Sequence, residues 1–168
     1  MMSLELLSRG NDLPVTPSEL RLFMNLDISI LDTELIPYII SAADLFEKFT
    51  GHATTQKQYS AIFKASLRGI YDLPHYPIIN VVSVYADTQI IPSDSYVITG
   101  ERMTLYDDFD DMMIKIIYNT GYTNINNISP AVKRIVMMCV CDLYFYGHFN
   151  DMSDGVKTMM NLYRKKWL

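Results

Sequence analysis

Apolar residues recur along this chain with two different periods, and the switch between them separates a helical beginning, a β-rich middle and a helical end. Leu35, Ile39, Ala42, Ala43, Phe46 and Phe49 fall three and four apart, the stripe of an amphipathic helix over about 33–50. Asp32 or Thr33 is placed to cap it and Gly51 to end it. Pro37 sits in its first two turns, where it removes at most one early hydrogen bond. Ahead of it, Thr16-Pro17-Ser18-Glu19 combines a cap, a first-position proline and a capping-box glutamate, which predicts a short helix over about 17–25. From Tyr59 the period becomes two: Tyr59, Ala61, Phe63, Ala65 and Leu67 alternate with polar neighbours, Ile62 excepted, as in a strand with one buried face. Residues 78–85 are rich in β-branched side chains, 96–99 and 102–106 flank Gly100-Glu101 as a hairpin, and 112–119 is the last strand of the group.

Helix signals return at Ser129-Pro130. Over 130–146, Val132, Ile135, Val136, Cys139, Val140, Leu143 and Tyr144 form one stripe, while Met137, Met138, Cys141 and Phe145 occupy what should be the polar side. A helix apolar nearly all round buries two sides, and a second subunit is the natural cover for the second. Met137, Met138, Cys141 and Phe145 are therefore the candidate subunit interface. A final helix, capped by Ser153, carries Val156, Met159, Met160, Leu162 and Tyr163. The expected fold is α+β and mainly helical: one domain over 1–168, a bundle of two N-terminal and two C-terminal helices with a small antiparallel β subdomain inserted at about 57–119.

Composition narrows the function. The chain of 168 residues is 49% hydrophobic with 14 Lys+Arg against 19 Asp+Glu, a net charge of −5, which argues against a protein that coats nucleic acid through a basic surface. Two cysteines, Cys139 and Cys141, exclude a disulfide framework. They diverge on one helix, so they cannot share a metal or pair with each other, and pack as small hydrophobes. The first residues lack the pattern of a leader and no long apolar run follows, so a soluble, cytosolically made chain is expected, with no membrane role.

No phosphate loop, dinucleotide fingerprint, zinc-protease motif or nucleophile elbow occurs, and His52, His75 and His148 are isolated, read as loop or helix-end residues. No cofactor, metal or catalytic residue is expected. Two charged segments remain. Asp107, Asp108, Asp110 and Asp111 lack the spacing and glycine of a calcium loop; they form a solvated turn, or a loop that faces a channel or a partner and repels a polyanion. A metal-dependent nuclease using this cluster would lose hydrolysis on mutation of Asp108 or Asp110. At the other end, Tyr163-Arg164-Lys165-Lys166-Trp167-Leu168 mixes aromatic anchors with basic arms, as at protein interfaces.

The order of parts resembles the head-tail connector, or adaptor, family of tailed bacteriophages. The signatures run through nearly the whole chain: Pro17-Ser18-Glu19-Leu20-Arg21 to Leu26-Asp27; Asp32-Thr33-Glu34-Leu35-Ile36 with Ala42-Ala43 and Thr50-Gly51; Ile70-Tyr71-Asp72-Leu73-Pro74 with Pro77 and Val81-Val82-Ser83-Val84; then Tyr96-Val97-Ile98, Ile114-Lys115-Ile116-Ile117-Tyr118, Gly121-Tyr122, Ser129-Pro130-Ala131-Val132-Lys133, Leu143-Tyr144 and Tyr163-Arg164. Two stretches depart from it: Phe145-Tyr146-Gly147-His148 stands where the family usually has an arginine, and 59–67 adds nothing to the match.

The resemblance implies a non-catalytic virion protein, made in the bacterial host cytoplasm. About twelve copies form a ring under the portal protein in the head-tail neck. The ring extends a channel through which DNA passes without sequence-specific binding, and it presents a surface to a stopper or tail-completion protein. It also implies that the C-terminal segment, Lys157 with Tyr163 to Leu168, docks on the portal. The alternative is a neck or tail-completion protein of the same fold that does not bind the portal directly.

Overall fold

The structure, a computed structural model, describes residues 2–65, 68–107, 109, 111–147 and 153–164. In chain order the elements are β1 Met2–Arg9, α1 Pro17–Met24, α2 Asp32–Thr50, β2 Lys57–Lys64, β3 Ile70–Asp72, β4 Ile78–Ala86, β5 Gln89–Ile91, β6 Tyr96–Thr99, β7 Arg102–Leu105, β8 Met113–Thr120, α3 Pro130–Tyr146 and α4 Asp154–Tyr163, with short 3-10 turns at Ser93–Ser95 and Ile125–Asn127. They form two compact units, Met1–Gly10 with Gln56–Gly121 and Asn11–Thr55 with Tyr122–Leu168.

In the helical unit the start of α1 is built as its sequence dictates. Thr16 Oγ1 accepts from the Glu19 N–H at 3.1 Å, the Thr16 N–H donates to Glu19 Oε2 at 2.7 Å, and Pro17 takes the first turn. Thr16→Ala should cost about 1 kcal/mol in a denaturant titration, because the Glu19 N–H loses its acceptor. α2 begins one residue earlier than its pattern suggests, with Leu31 at the cap position and no side-chain cap bond. The Asp32 carboxylate is engaged by the Arg21 guanidinium instead. Gly51 ends α2 at φ 74°. The core is made by Leu20, then Leu35, Ile39, Ala42 and Phe46, then Val132, Ile135, Val136, Cys139 and Val140, then Val156 and Met160, so all four helices contribute. Lys133 Nζ, 3.0 Å from Glu19 Oε1, ties α3 to α1.

The β unit contains a five-stranded antiparallel sheet, β1-β2-β8-β4-β5, and a three-stranded one, β3-β7-β6. β8 is central and alternates strictly: Ile114, Ile116, Tyr118 and Thr120 are buried, while Met113, Lys115, Ile117 and Asn119 are not. Its buried face joins Tyr59 and Ala61 of β2 and Val84 and Ala86 of β4 to Tyr71, Met103 and Leu105 of the smaller sheet in one apolar core. The Tyr118 hydroxyl is satisfied there by donating to the Pro74 carbonyl at 2.9 Å; burial, and secondarily Tyr59, pushes its pKa up. The β6–β7 hairpin turns at Gly100, φ 63°, as its sequence predicts.

The expected fold class needs correction. Among the described residues four helices accompany eight strands, 39% helix against 32% strand, so the protein is not a mainly helical bundle with a small inserted sheet. Three strands account for the difference. β3 and β5 are three residues each, too short to show a period. β1, at the start of the chain, pairs with β2 through Met2↔Phe63, Leu4↔Ala61 and Leu6↔Tyr59, which extends the sheet by an element that lies outside the 57–119 insertion. Ser66 and Leu67, the end of the expected 59–67 strand, lie outside the described residues.

Candidate functional site

The candidate surfaces are those on which apolar or charged side chains stand free of the two cores. α3 supplies the first. Met137 and Met138, expected at a subunit interface, rest partly buried against the helical core, because α1, α2 and α4 all pack on α3 and widen its inward face. Cys141 is half-buried and Phe145 exposed. Phe145 joins an aromatic group: its ring lies 5.4 Å from Tyr144, which meets Tyr38 of α2 edge-on at 5.3 Å. The Cys139 thiol is buried and its pKa pushed up to about 12 by that burial, with Asp142 next, so it packs as an inert apolar group.

A second surface was not singled out by the sequence pattern. The connection from α1 to α2 is a built turn. Asn25 adopts φ 52°, Asp27 Oδ1 accepts the Ser29 N–H at 2.8 Å, and the Ile30 N–H reaches the Asp27 carbonyl at 3.2 Å. Arg21 donates twice to the Ile30 carbonyl, at 3.1 and 2.7 Å, while also holding Asp32. Leu26 and Ile30 face the core, but Ile28 at the tip is 90% exposed, and Leu22 of α1, 86% exposed, and Leu31 stand out with it. The signal was present: Leu26-Asp27-Ile28-Ser29-Ile30-Leu31 is far more apolar than a connection needs to be.

The acidic segment lies between β7 and β8. Asp107 and Asp111 are exposed; Asp111 has φ 62° and lies 3.5 Å from Lys64 Nζ, an exposed pair that contributes little stability. Asp108 and Asp110 lie outside the described residues. Among the described residues no group of three or more His, Cys, Asp or Glu is placed to hold a metal ion, and no helix is long and apolar enough to cross a membrane.

In the C-terminal segment, Lys157 lies 3.9 Å from Asp154, and Tyr163 packs on the helical core with its ring 6.1 Å from Phe46 and 6.0 Å from His52. Tyr163 thus packs, partly buried, against the core from α4. Arg164 is exposed, its guanidinium 5.2 Å from the Phe49 ring centroid. Lys165, Lys166, Trp167 and Leu168 lie outside the described residues, as does His148.

The two other histidines are packed more closely than loop residues usually are. His75 stacks on Tyr59 at 4.6 Å. His52 is buried just after α2, its Nε2 hydrogen-bonded to the Tyr122 hydroxyl at 3.0 Å, beside Tyr163 and near Glu47, whose Oε1 accepts from the N–H and the hydroxyl of Thr54, each at 2.7 Å. Burial lowers the His52 pKa, and the Glu47 charge opposes that shift. The fold therefore holds a neutral imidazole, whereas the unfolded chain takes up a proton near pH 6.5. Stability from this site is fully present above that pH and declines as pH falls through it toward the folded pKa. Melting curves from pH 8 to 5 should show Tm falling, and His52→Gln should flatten that slope.

The fold is one that solved structures place in gene transfer agent (GTA) particles. A chain of the neck of the empty GTA particle, computed with C6 symmetry, superposes at a TM-score of 0.80 with 14% identity, covering 99% of this chain and 97% of that one. A chain of the native GTA virion matches at 0.75, 14% identity, with 98% and 96% covered. A chain of the native GTA neck, computed with C12 symmetry, matches at 0.74, 14% identity, with 98% and 97% covered. No family model matches this sequence, and no curated protein matches it. At 14% identity the likeness is one of fold.

Proposed function

We propose that this chain is a structural virion protein of the neck, an adaptor whose copies close into a ring of about twelve beneath the portal and offer a surface to the next neck or tail component. The observation that carries the reading is the likeness over the whole chain, 97% or more of each partner in two cases, to chains from GTA necks solved with C6 and C12 symmetry. Cyclic symmetry requires a heterologous interface, two different patches on each copy. The chain offers distinct exposed patches for it: Tyr38 of α2 with Phe145 of α3, and the apolar turn at Ile28. Asp107 and Asp111, exposed on the β unit, suit a face that keeps DNA from adhering.

Deleting the gene for this chain from a particle-producing genome should leave DNA-filled heads without tails. Normal yields of tailed particles would overturn the reading. Replacing all four aspartates of the acidic segment by asparagine should reduce DNA retention or tail joining; unchanged particles would remove that face from the account.

A further inference from the structure

The chain passes from one unit to the other three times, at Gly10–Asn11, Thr55–Gln56 and Gly121–Tyr122. These crossings are far apart in sequence, yet the chain leaves the five-stranded sheet at one row. Arg9 of β1 stands opposite Lys57 of β2, and Lys57 opposite Thr120 of β8. One step further along, the Gly10 N–H donates to the Gln56 carbonyl at 2.8 Å and the Gly121 N–H to the Pro77 carbonyl at 2.9 Å. Neighbouring strands lie about 4.8 Å apart, so the three exits fall on a line about 10 Å long.

Each side of that line is held by its own unit. The helical core draws its residues from 11–55 and 122–168, the β core from 1–10 and 56–121. On the helical side Thr54 donates through its N–H and its hydroxyl to Glu47 Oε1, each at 2.7 Å, and the Tyr122 hydroxyl bonds His52 Nε2 at 3.0 Å. Asn11 and Asp12 are exposed, and Leu13 is the next residue to pack on the helical core. Each crossing is therefore anchored on both sides within a few residues. Gly121 adopts φ 91°, in backbone space open chiefly to glycine. Hinges are built in this way, from a few element-terminal residues that absorb a change in φ and ψ. Bonds on a single line serve as one axis, whereas three scattered crossings would lock the bodies.

We infer that the helical and β units turn as separate bodies about the row Gly10, Gln56 and Gly121. Such a hinge has a use in a neck. The fold is shared with chains of GTA necks computed with C6 and with C12 symmetry. In a ring of about twelve copies held to sixfold order, alternate copies have different surroundings, and a hinge lets one chain fit both places. That use rests on the ring reading above; the hinge itself does not.

The test is residual dipolar couplings of the isotope-labelled full chain, measured in two aligning media. The couplings of each unit should fit that unit's own structure, with alignment magnitudes that differ between the two units. Equal magnitudes in both media would mean one rigid body and overturn the hinge. Because the couplings are read on the free chain, they decide the hinge whether or not a ring forms on the portal. In the assembled ring, refined with sixfold symmetry, the two independent copies should superpose unit by unit and not as whole chains. Whole chains that superpose in both places would overturn the use assigned to the hinge.

Discussion

Phe46→Ala should destabilise the helical unit by about 3–5 kcal/mol, the largest single effect expected from any substitution in this chain. Phe46 is fully buried where α2, α3 and α4 meet, and its ring stands 6.0 Å from His52 and 6.1 Å from Tyr163. Truncation removes the ring's transfer free energy and also leaves a cavity that three helices with independent anchors cannot collapse to fill. α4 should suffer most, since it is only ten residues long and too short to hold as an isolated helix. Chemical denaturation followed by far-ultraviolet circular dichroism measures it; a loss under 1 kcal/mol would show that the core is not centred where the structure puts it.

The second large effect concerns the β unit. Gly69 precedes β3 with φ 60°, and a Cβ placed there would stand 2.8 Å from the Leu105 carbonyl oxygen, a backbone atom that cannot swing aside. Leu105 N–H in turn donates to the Gly69 carbonyl at 2.8 Å, so strain at this point is delivered to the β3–β7 pairing. Gly69→Ala should cost about 2–3 kcal/mol, the left-handed penalty plus the clash. Gly100→Ala is the control: φ is 63° there, yet nothing lies within 4 Å of the added carbon, so the cost should be near 1 kcal/mol. Equal costs at the two glycines would contradict the close approach of β7 to residue 69.

What could be read from sequence follows the range of the forces involved. The α1 capping box, the α2 stripe, Gly51, the Gly100 hairpin and the alternation of β8 are set by neighbours within a few residues, and all stand in the structure as their pattern dictates. The balance of helix and strand was misread because it depends on partners far along the chain. β1 becomes a strand by pairing with β2, whose partner residues lie 48 to 61 positions away, although Met2, Ser3, Leu4, Glu5 and Leu6 do alternate. Tertiary packing also sets how far each candidate residue is exposed, which the helical pattern alone does not show. Met137 and Met138 sit on the sequence-polar side of α3 but are partly covered within the chain, Tyr163 packs partly buried against the core, and Ile28 stands exposed on the turn after α1. The α2 cap went to Leu31 because a charge partner eleven residues from Asp32 outcompeted local capping.

Isolation in sequence kept His52 from looking like part of any cluster, yet folding brings Glu47, Tyr122 and Tyr163 around it. That arrangement is structural: the Tyr122 hydrogen bond and the Phe46 and Tyr163 rings hold the imidazole at the end of α2. Among the described residues Asp107 and Asp111 are exposed, and Asp111 lies beside Lys64.

The central claim, that this chain is the portal-side ring of a neck, is tested most directly by mass. The purified chain is mixed with the portal ring from the same genome, and the product is measured by native mass spectrometry or light scattering. The account predicts an increase of one chain per portal subunit, saturating at a closed ring. A portal that gains no mass under any salt condition would contradict it and place the protein lower in the neck or tail.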